Sequence, residues 1–139
     1  MDVDFSGKWH NQHHSELNLT VSDDGIVSGT FHTAVGSPGP AEGFPLTGFV
    51  CGDLITFSVS FGKFQSVTAW AGQHTVEDGV EEIETMWHLA VNIEDRAEKD
   101  WLWSGIRSGA DTFLRGRSPA GARRSRSAPS HPLGRLKVK

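Results

Sequence analysis

Apolar and polar residues alternate along short stretches of this chain, and groups of glycine, proline, serine and aspartate separate these stretches. The clearest alternation is in the segment LITFSVSF, where one face is apolar and the other carries hydroxyl groups: Ile55, Phe57, Val59 and Phe61 against Thr56, Ser58 and Ser60. A period of two residues is typical of a β-strand with one buried face.

Eight segments of this kind follow one another, with no convincing helix between them. They are, in order, FSGKWHNQH, ELNLTV, IVSGTFHTAV, FPLTGFV, LITFSVSF, SVTAWAGQHTV, VEEIETMWHLAV and WSGIRSGADTFL. Sequential strands joined by short turns favour an all-β fold, an eight-stranded antiparallel up-and-down β-barrel, because closure leaves no unpaired sheet edge. Such a barrel can hold one small ligand inside. A two-sheet sandwich is the structural alternative.

Charge divides the 139-residue chain into two segments. Eight of the 13 Lys and Arg residues, and none of the 17 Asp and Glu residues, lie from position 115 onward. The preceding part keeps five basic and all 17 acidic residues, so its net charge is −12 and that of the tail is +8. We expect one barrel domain over residues 1–114 and a flexible, disordered basic tail over 115–139, which has too few apolar residues to offset the entropy cost of ordering.

The composition also bears on partners and location. No stretch reaches the roughly 20 apolar residues that a membrane-spanning helix needs. The first residues, MDVDFSG, contain no hydrophobic run and predict no secretory signal in the sequence as it stands. The tail segment RRSRS could neutralise nucleic-acid phosphates, but a solvated tail beside an acidic body explains the same charges, and nucleic acid is not the expected partner. The single cysteine, Cys51, is expected to be a buried thiol, with a bridge to a second chain as the alternative.

The segment GKWHNQHHSEL places three histidines within five positions and raises the question of a metal site. A zinc site needs three or four converging ligands. On a strand His10 and His13 point to opposite faces, and the neighbours His13 and His14 also diverge. We therefore expect no metal and no cofactor, and we expect Asn11 and Ser15 to be the functional residues of this segment. No nucleophile with an activating base, pair of carboxylates or phosphate-binding loop argues for an enzyme.

The inward face of the predicted barrel mixes aromatic and polar residues. By parity, polar and apolar residues share the inward face of several strands: Asn11 and His13 with Trp9, Thr33 with Phe31 and Val35, and Ser66 and Thr68 with Trp70. On the seventh strand Trp87 and Leu89 share that face. Asp111 adds a carboxylate. A plain core would not bury so many polar groups, because each unpaired one costs about 1–3 kcal/mol. Aromatic walls with a few convergent polar groups are what a small-molecule site requires.

Six fragments along the chain resemble, in their order and spacing, the avidins and streptavidin. They are GKWHNQHHSEL, GTFHTAVG, PLTG, TAWAGQ, TMWHLA and WSGIRSGADTF, which together cover about residues 6–114. The resemblance implies an eight-stranded barrel that binds biotin tightly and non-covalently, performs no catalysis, and is secreted or extracellular. It also implies a homo-oligomer, with a tetramer favoured and a dimer or a mixture of states left open.

The resemblance implies a role for each matching position. Asn11 and Ser15 would donate hydrogen bonds to the ureido oxygen of biotin, and Asp111 and Thr33 would accept from its two N–H groups. Thr68 would lie near the ring sulfur. Ser66 and Ser37, or backbone amides beside Ser37, would contact the carboxylate of biotin. Trp103 would come from a neighbouring subunit and cover the ligand. The apolar walls would be formed by Val35, Phe61, Trp70, Trp87 and Leu89.

Phe31 departs from the pattern of the family, which usually has a tyrosine there as a third donor to the ureido oxygen. The chain contains no tyrosine, so the resemblance predicts weaker biotin binding than in the tightest members. Two other functions remain as alternatives to biotin binding. They are a barrel that binds another small apolar or urea-like ligand, and a nucleic-acid-associated protein that acts through its tail.

Overall fold

The structure is a computed structural model that describes residues 3–33 and 42–118. Two of the predicted ligand-binding residues, Val35 and Ser37, lie outside the described residues, as do residues 119–139 of the predicted tail.

The described residues form eight strands in sequence. These are β1 (Gly7–Asn11), β2 (Glu16–Val21), β3 (Ile26–His32), β4 (Gly43–Cys51), β5 (Leu54–Phe61), β6 (Ser66–Glu77), β7 (Val80–Val91) and β8 (Ile106–Arg115). Each strand pairs antiparallel with the next, and β8 pairs with β1, which closes the sheet. This confirms the predicted eight-stranded up-and-down β-barrel.

The few helical turns lie outside the barrel wall. The short helix α1 (Glu98–Trp101) lies in the β7–β8 connection between two 3-10 turns, Asp95–Ala97 and Leu102–Gly105, and another 3-10 turn, Gly62–Phe64, precedes β6. None of the helices in the described parts of the chain is long and apolar enough to cross a membrane.

The two-residue period determines which side chains enter the core. In β5 the apolar residues Ile55, Phe57 and Val59 are each at most 2% exposed, whereas the hydroxyl-bearing residues between them face outward. The same alternation in β4 buries Phe44 and Leu46 and leaves Cys51 exposed. The expectation of a buried Cys51 is therefore wrong, because the parity of β4 places its thiol on the outer face.

One end of the barrel is closed by a cluster that we call the barrel floor: Phe5, Trp9, His74, Glu81 and Arg115. Trp9 is fully buried, and the guanidinium carbon of Arg115 lies 4.1 Å from the centroid of its ring. Arg115 also donates hydrogen bonds to both carboxylate oxygens of Glu81, at 3.0 and 3.2 Å. These bonds, followed by the one with His74, lower the pKa of Glu81 from 4.5 to about 2. Arg115, predicted to be the first residue of the tail, is instead the last residue of β8 and part of the barrel.

Candidate functional site

A cavity of about 370 Å³ lies toward the end of the barrel away from the floor. Its volume is within the range of small-molecule sites, roughly 300–1,000 Å³. The cavity is lined by Asn11, His13, Ser15, Phe31, Phe61, Thr68, Trp70, Trp87, Leu89 and Asp111. All of these except His13 are among the ligand-binding residues predicted from the sequence. The structure thus brings nine predicted residues together around one space, and their contacts with a ligand remain a prediction.

Asn11 organises the loop between β1 and β2. Its side-chain Oδ1 accepts hydrogen bonds from the backbone N–H groups of His13 and Ser15, at 3.0 and 2.9 Å. Its backbone N–H donates to the carbonyl of Ser15, and its carbonyl accepts from the N–H of His14, both at 3.0 Å. Because Oδ1 is occupied by the loop, the orientation of the amide is fixed, and Nδ2 lies on the side of Asp111, 3.4 Å from Oδ2.

Asp111 lies on β8 and is only 5% exposed. Its Oδ2 accepts a hydrogen bond from Nε1 of Trp70 at 2.9 Å, in addition to the longer one from Asn11. Its Oδ1 accepts from Nε2 of Gln12 at 2.7 Å. A buried carboxylate is stable only when donors compensate for the lost water. These three donors supply that compensation and hold the carboxylate in one orientation at the cavity wall.

Gln12 contributes to the site, although neither strand parity nor the family resemblance predicts it. While its Nε2 donates to Asp111, its Oε1 accepts from the backbone N–H of Thr112 at 3.1 Å. One amide therefore connects the β1–β2 loop to two adjacent residues of β8. Strand parity assigns position 12 to the outer face, next to the inward-facing Asn11. The side chain reaches Asp111 because β1 ends at Asn11 and the chain then turns, which the alternation pattern does not reveal.

Aromatic rings form the walls of the cavity and a supporting layer behind them. Trp70 stacks on Phe57 with ring centroids 4.9 Å apart and planes at 16°, and Phe31 lies 5.3 Å from Trp70. Phe31 also makes an edge-to-face contact with Phe61 at 5.7 Å. Trp87 is directly opposite Trp70 in the pairing of β6 with β7. Such interlocked rings leave little freedom for the walls to reorganise when a ligand binds.

Three other predicted residues that the structure describes, Ser66, Thr33 and Trp103, are not among those lining the cavity. Ser66 is half-buried at the start of β6, and Thr33 is half-buried just after β3, with its N–H donating to the carbonyl of Glu42 at 3.0 Å. Trp103, in the 3-10 turn before β8, is 77% exposed in the single chain. Val35 and Ser37 belong to a segment outside the described residues.

The arrangement suits a small, rigid ligand with both donors and acceptors. Among the described residues that line the cavity, Asp111 is the only carboxylate, and it lies close to the amide of Asn11. A ligand between them could donate to the carboxylate while accepting from the amide. In the described ranges 3–33 and 42–118, no group of three or more His, Cys, Asp or Glu residues could hold a metal ion.

Comparison with known proteins gives the following matches. The model of the Avidin family matches residues 1–116. The crystal structure of xenavidin is 31% identical, covers 84% of this chain and 100% of its own, and has a TM-score of 0.71. The crystal structure of the rhizavidin–biotin complex is 34% identical over 78% of this chain and 97% of its own, with a TM-score of 0.64. The biotin binding protein from chicken is 27% identical over 84% and 98% of the two chains, with a TM-score of 0.71.

Proposed function

The chain belongs to the avidin family, and on this basis we propose that it binds biotin inside the barrel, non-covalently, with high affinity and without catalysis. Proteins of this family are binding proteins rather than enzymes, and biotin is their ligand rather than a cofactor. The observation that carries the proposal is the buried carboxylate of Asp111, fixed by three donors at the wall of an aromatic cavity.

The polar groups of the cavity complement the ureido ring of biotin. A cyclic urea has one strong acceptor, its oxygen, and two N–H donors. Asn11 and Ser15 donate to the oxygen, and Asp111 accepts from one N–H group. Thr33, which lies just after β3 and is not in the cavity lining, accepts from the other. The negative charge of Asp111 draws the N–H groups toward it and increases the electron density on the oxygen, so each hydrogen bond strengthens the others.

The apolar part of biotin fits the remaining walls. Trp70, Trp87, Phe61 and Leu89 enclose the fused rings and the chain, and Thr68 lies beside the ring sulfur. Ser66 contacts the carboxylate of biotin. The resemblance implies a carboxylate contact for Ser37 and an apolar contact for Val35 as well, and both lie outside the described residues. The complex of biotin with streptavidin is among those at the limit of non-covalent affinity, so tight binding here is an expectation from the family.

We further propose that the protein is a secreted or extracellular homo-oligomer, with a tetramer favoured over a dimer or a mixture of states. Trp103 supports this proposal, because an indole that is 77% exposed in the single chain has an apolar surface for a neighbouring subunit to bury. In the oligomer this residue covers the biotin of the adjacent barrel.

Retention on biotin-agarose tests the ligand. We expect the full chain to bind the resin and to elute with free biotin, because the free ligand competes for the same cavity. Passage through the column, or elution by salt alone with no effect of free biotin, would contradict biotin as the ligand. Passage through the column would favour a barrel for another small ligand, and elution by salt alone would favour binding through the basic tail.

Replacing Phe31 with tyrosine should slow biotin dissociation by roughly tenfold. The added hydroxyl supplies a further donor to the ureido oxygen, and one such bond contributes about 1–3 kcal/mol when the acceptor carries extra charge. A competitive off-rate assay measures the effect. Phe49→Tyr is the matched control, because Phe49 is 64% exposed on the outer face of β4. An unchanged off-rate in Phe31→Tyr would contradict this prediction, as would a wild-type off-rate already as slow as that of streptavidin.

A further inference from the structure

His13 places a second titratable side chain in the cavity, beside Asp111. Its ring nitrogen Nε2 lies 3.8 Å from Asp111 Oδ1, and its side chain is only 17% exposed. The backbone N–H of His13 donates to Oδ1 of Asn11 at 3.0 Å. The same hydrogen bonds that orient Asn11 toward the cavity therefore also fix the backbone of His13, whose side chain lines the cavity.

Within the described lining of the cavity, the groups around His13 other than Asp111 are uncharged. Apart from Asp111 on β8, the described residues that line the cavity carry amide, hydroxyl, aromatic or aliphatic side chains, from β6, β7 and the other strands alike. In the loop itself, Gln12 is neutral and donates to Asp111, and the Nδ1 of His14 lies 3.3 Å from the hydroxyl of Ser118. Among the described cavity residues, Asp111 is therefore the charged group that faces His13.

We propose that His13 makes ligand binding at this site dependent on pH, such that acid weakens the binding of biotin. This inference rests on the proposed function. Histidine changes charge between about pH 5 and pH 8. In the empty cavity, the carboxylate of Asp111 stabilises a protonated imidazole 3.8 Å away.

Ligand binding reverses this preference for the protonated ring. The N–H groups of the ligand take up acceptor positions on Asp111, so the carboxylate interacts less favourably with an imidazolium. The ligand also excludes water from the cavity, which disfavours a charged ring. Both effects favour neutral His13 in the complex.

The sign of the pH dependence follows from linkage. A proton leaves His13 when the ligand binds, so a fall in pH favours the empty protein and raises the dissociation constant. If His13 binds a proton ten times more tightly in the ligand-free protein than in the complex, acid raises the dissociation constant of biotin by up to tenfold. We expect a rise of about tenfold between about pH 8 and pH 5.5, a range above that in which carboxylates ordinarily take up protons.

The test is a pH series of biotin affinities, measured with the full chain by competition against a fluorescent biotin. Wild type is compared with His13→Gln, which keeps a neutral polar side chain, and with His88→Gln, a matched change on the outer face of β7 where the side chain is exposed. Thermal melts verify that each variant is folded, and His13→Leu replaces His13→Gln if the latter is not. Calorimetry of the wild type near pH 6.5, in two buffers with different ionisation enthalpies, measures proton release without any variant.

The proposal predicts that acid weakens binding in the wild type and in His88→Gln but not in His13→Gln. It also predicts a binding enthalpy of the wild type that depends on the buffer. If His13→Gln keeps the wild-type pH profile, or if the wild type releases no proton, the role of His13 is refuted while biotin binding stands. Absence of biotin binding at pH 8 in the wild type would refute the proposed function and this inference with it.

Discussion

Replacing Asp111 with asparagine should weaken biotin binding by about 100-fold. The change keeps the shape of the side chain but removes its charge, and a hydrogen bond to a charged group contributes about 1.5–3 kcal/mol. It also introduces an N–H₂ group where only acceptors fit. Oδ2 accepts from Trp70 and Asn11, and Oδ1 accepts from Gln12, so either orientation of the new amide places a donor against a donor.

The affinity of Asp111→Asn can be measured by competition with a fluorescent biotin near pH 8. The control is Asp24→Asn, the same chemical change at an exposed residue of the β2–β3 turn, which should bind biotin as the wild type does. Because the donors on one side of residue 111 are left without an acceptor, the melting temperature of Asp111→Asn should fall too. An affinity within a factor of three of the wild type would show that the carboxylate does not contact the ligand.

Replacing Asn11 with alanine is expected to weaken biotin binding by a similar factor, about 100-fold, for two separate reasons. The ligand loses the Nδ2 donor, worth about 1–3 kcal/mol toward a charge-enriched oxygen. The loop loses the acceptor for the N–H groups of His13 and Ser15, so both residues can move away from the cavity. Loss of pre-organisation reduces affinity even where the contacts can still form.

Asn18→Ala is the control for the Asn11 variant, because Asn18 lies on β2 with an exposed side chain. Hydrogen–deuterium exchange separates the two effects. The amides of residues 13 and 15 should exchange faster in Asn11→Ala, and those of the barrel floor should not. If exchange in the loop is unchanged and affinity falls, Asn11 acts through the ligand alone. Unchanged affinity would contradict its place in the site.

Strand parity predicts most of the cavity because a closed barrel has only two faces. Once the strands are recognised, the residues with the parity of Trp70, Trp87 and Asn11 must point inward, and the polar residues among them mark the site. The resemblance to avidins then adds roles that parity cannot assign. The fold and the nine residues around the cavity can therefore be read from the sequence.

The residues that were missed or misplaced depend on features outside the alternation pattern. Gln12 reaches Asp111 because the chain turns after Asn11, and a turn breaks the parity rule. Arg115 belongs to the barrel floor because of its contacts with Trp9 and Glu81, which are distant in sequence. Parity does not separate the floor from the cavity either: Trp9 faces inward like Asn11 but lies beside Arg115, away from the cavity.

Calorimetric titration of the full chain with biotin, paired with sizing of the same sample, tests the central claim most directly. One molecule of biotin per chain should bind with release of heat, quench or shift the tryptophan emission as the indoles of the cavity become covered, and raise the melting temperature by mass action. The absence of heat, together with unchanged fluorescence and melting temperature at saturating biotin, would contradict a biotin site in this barrel.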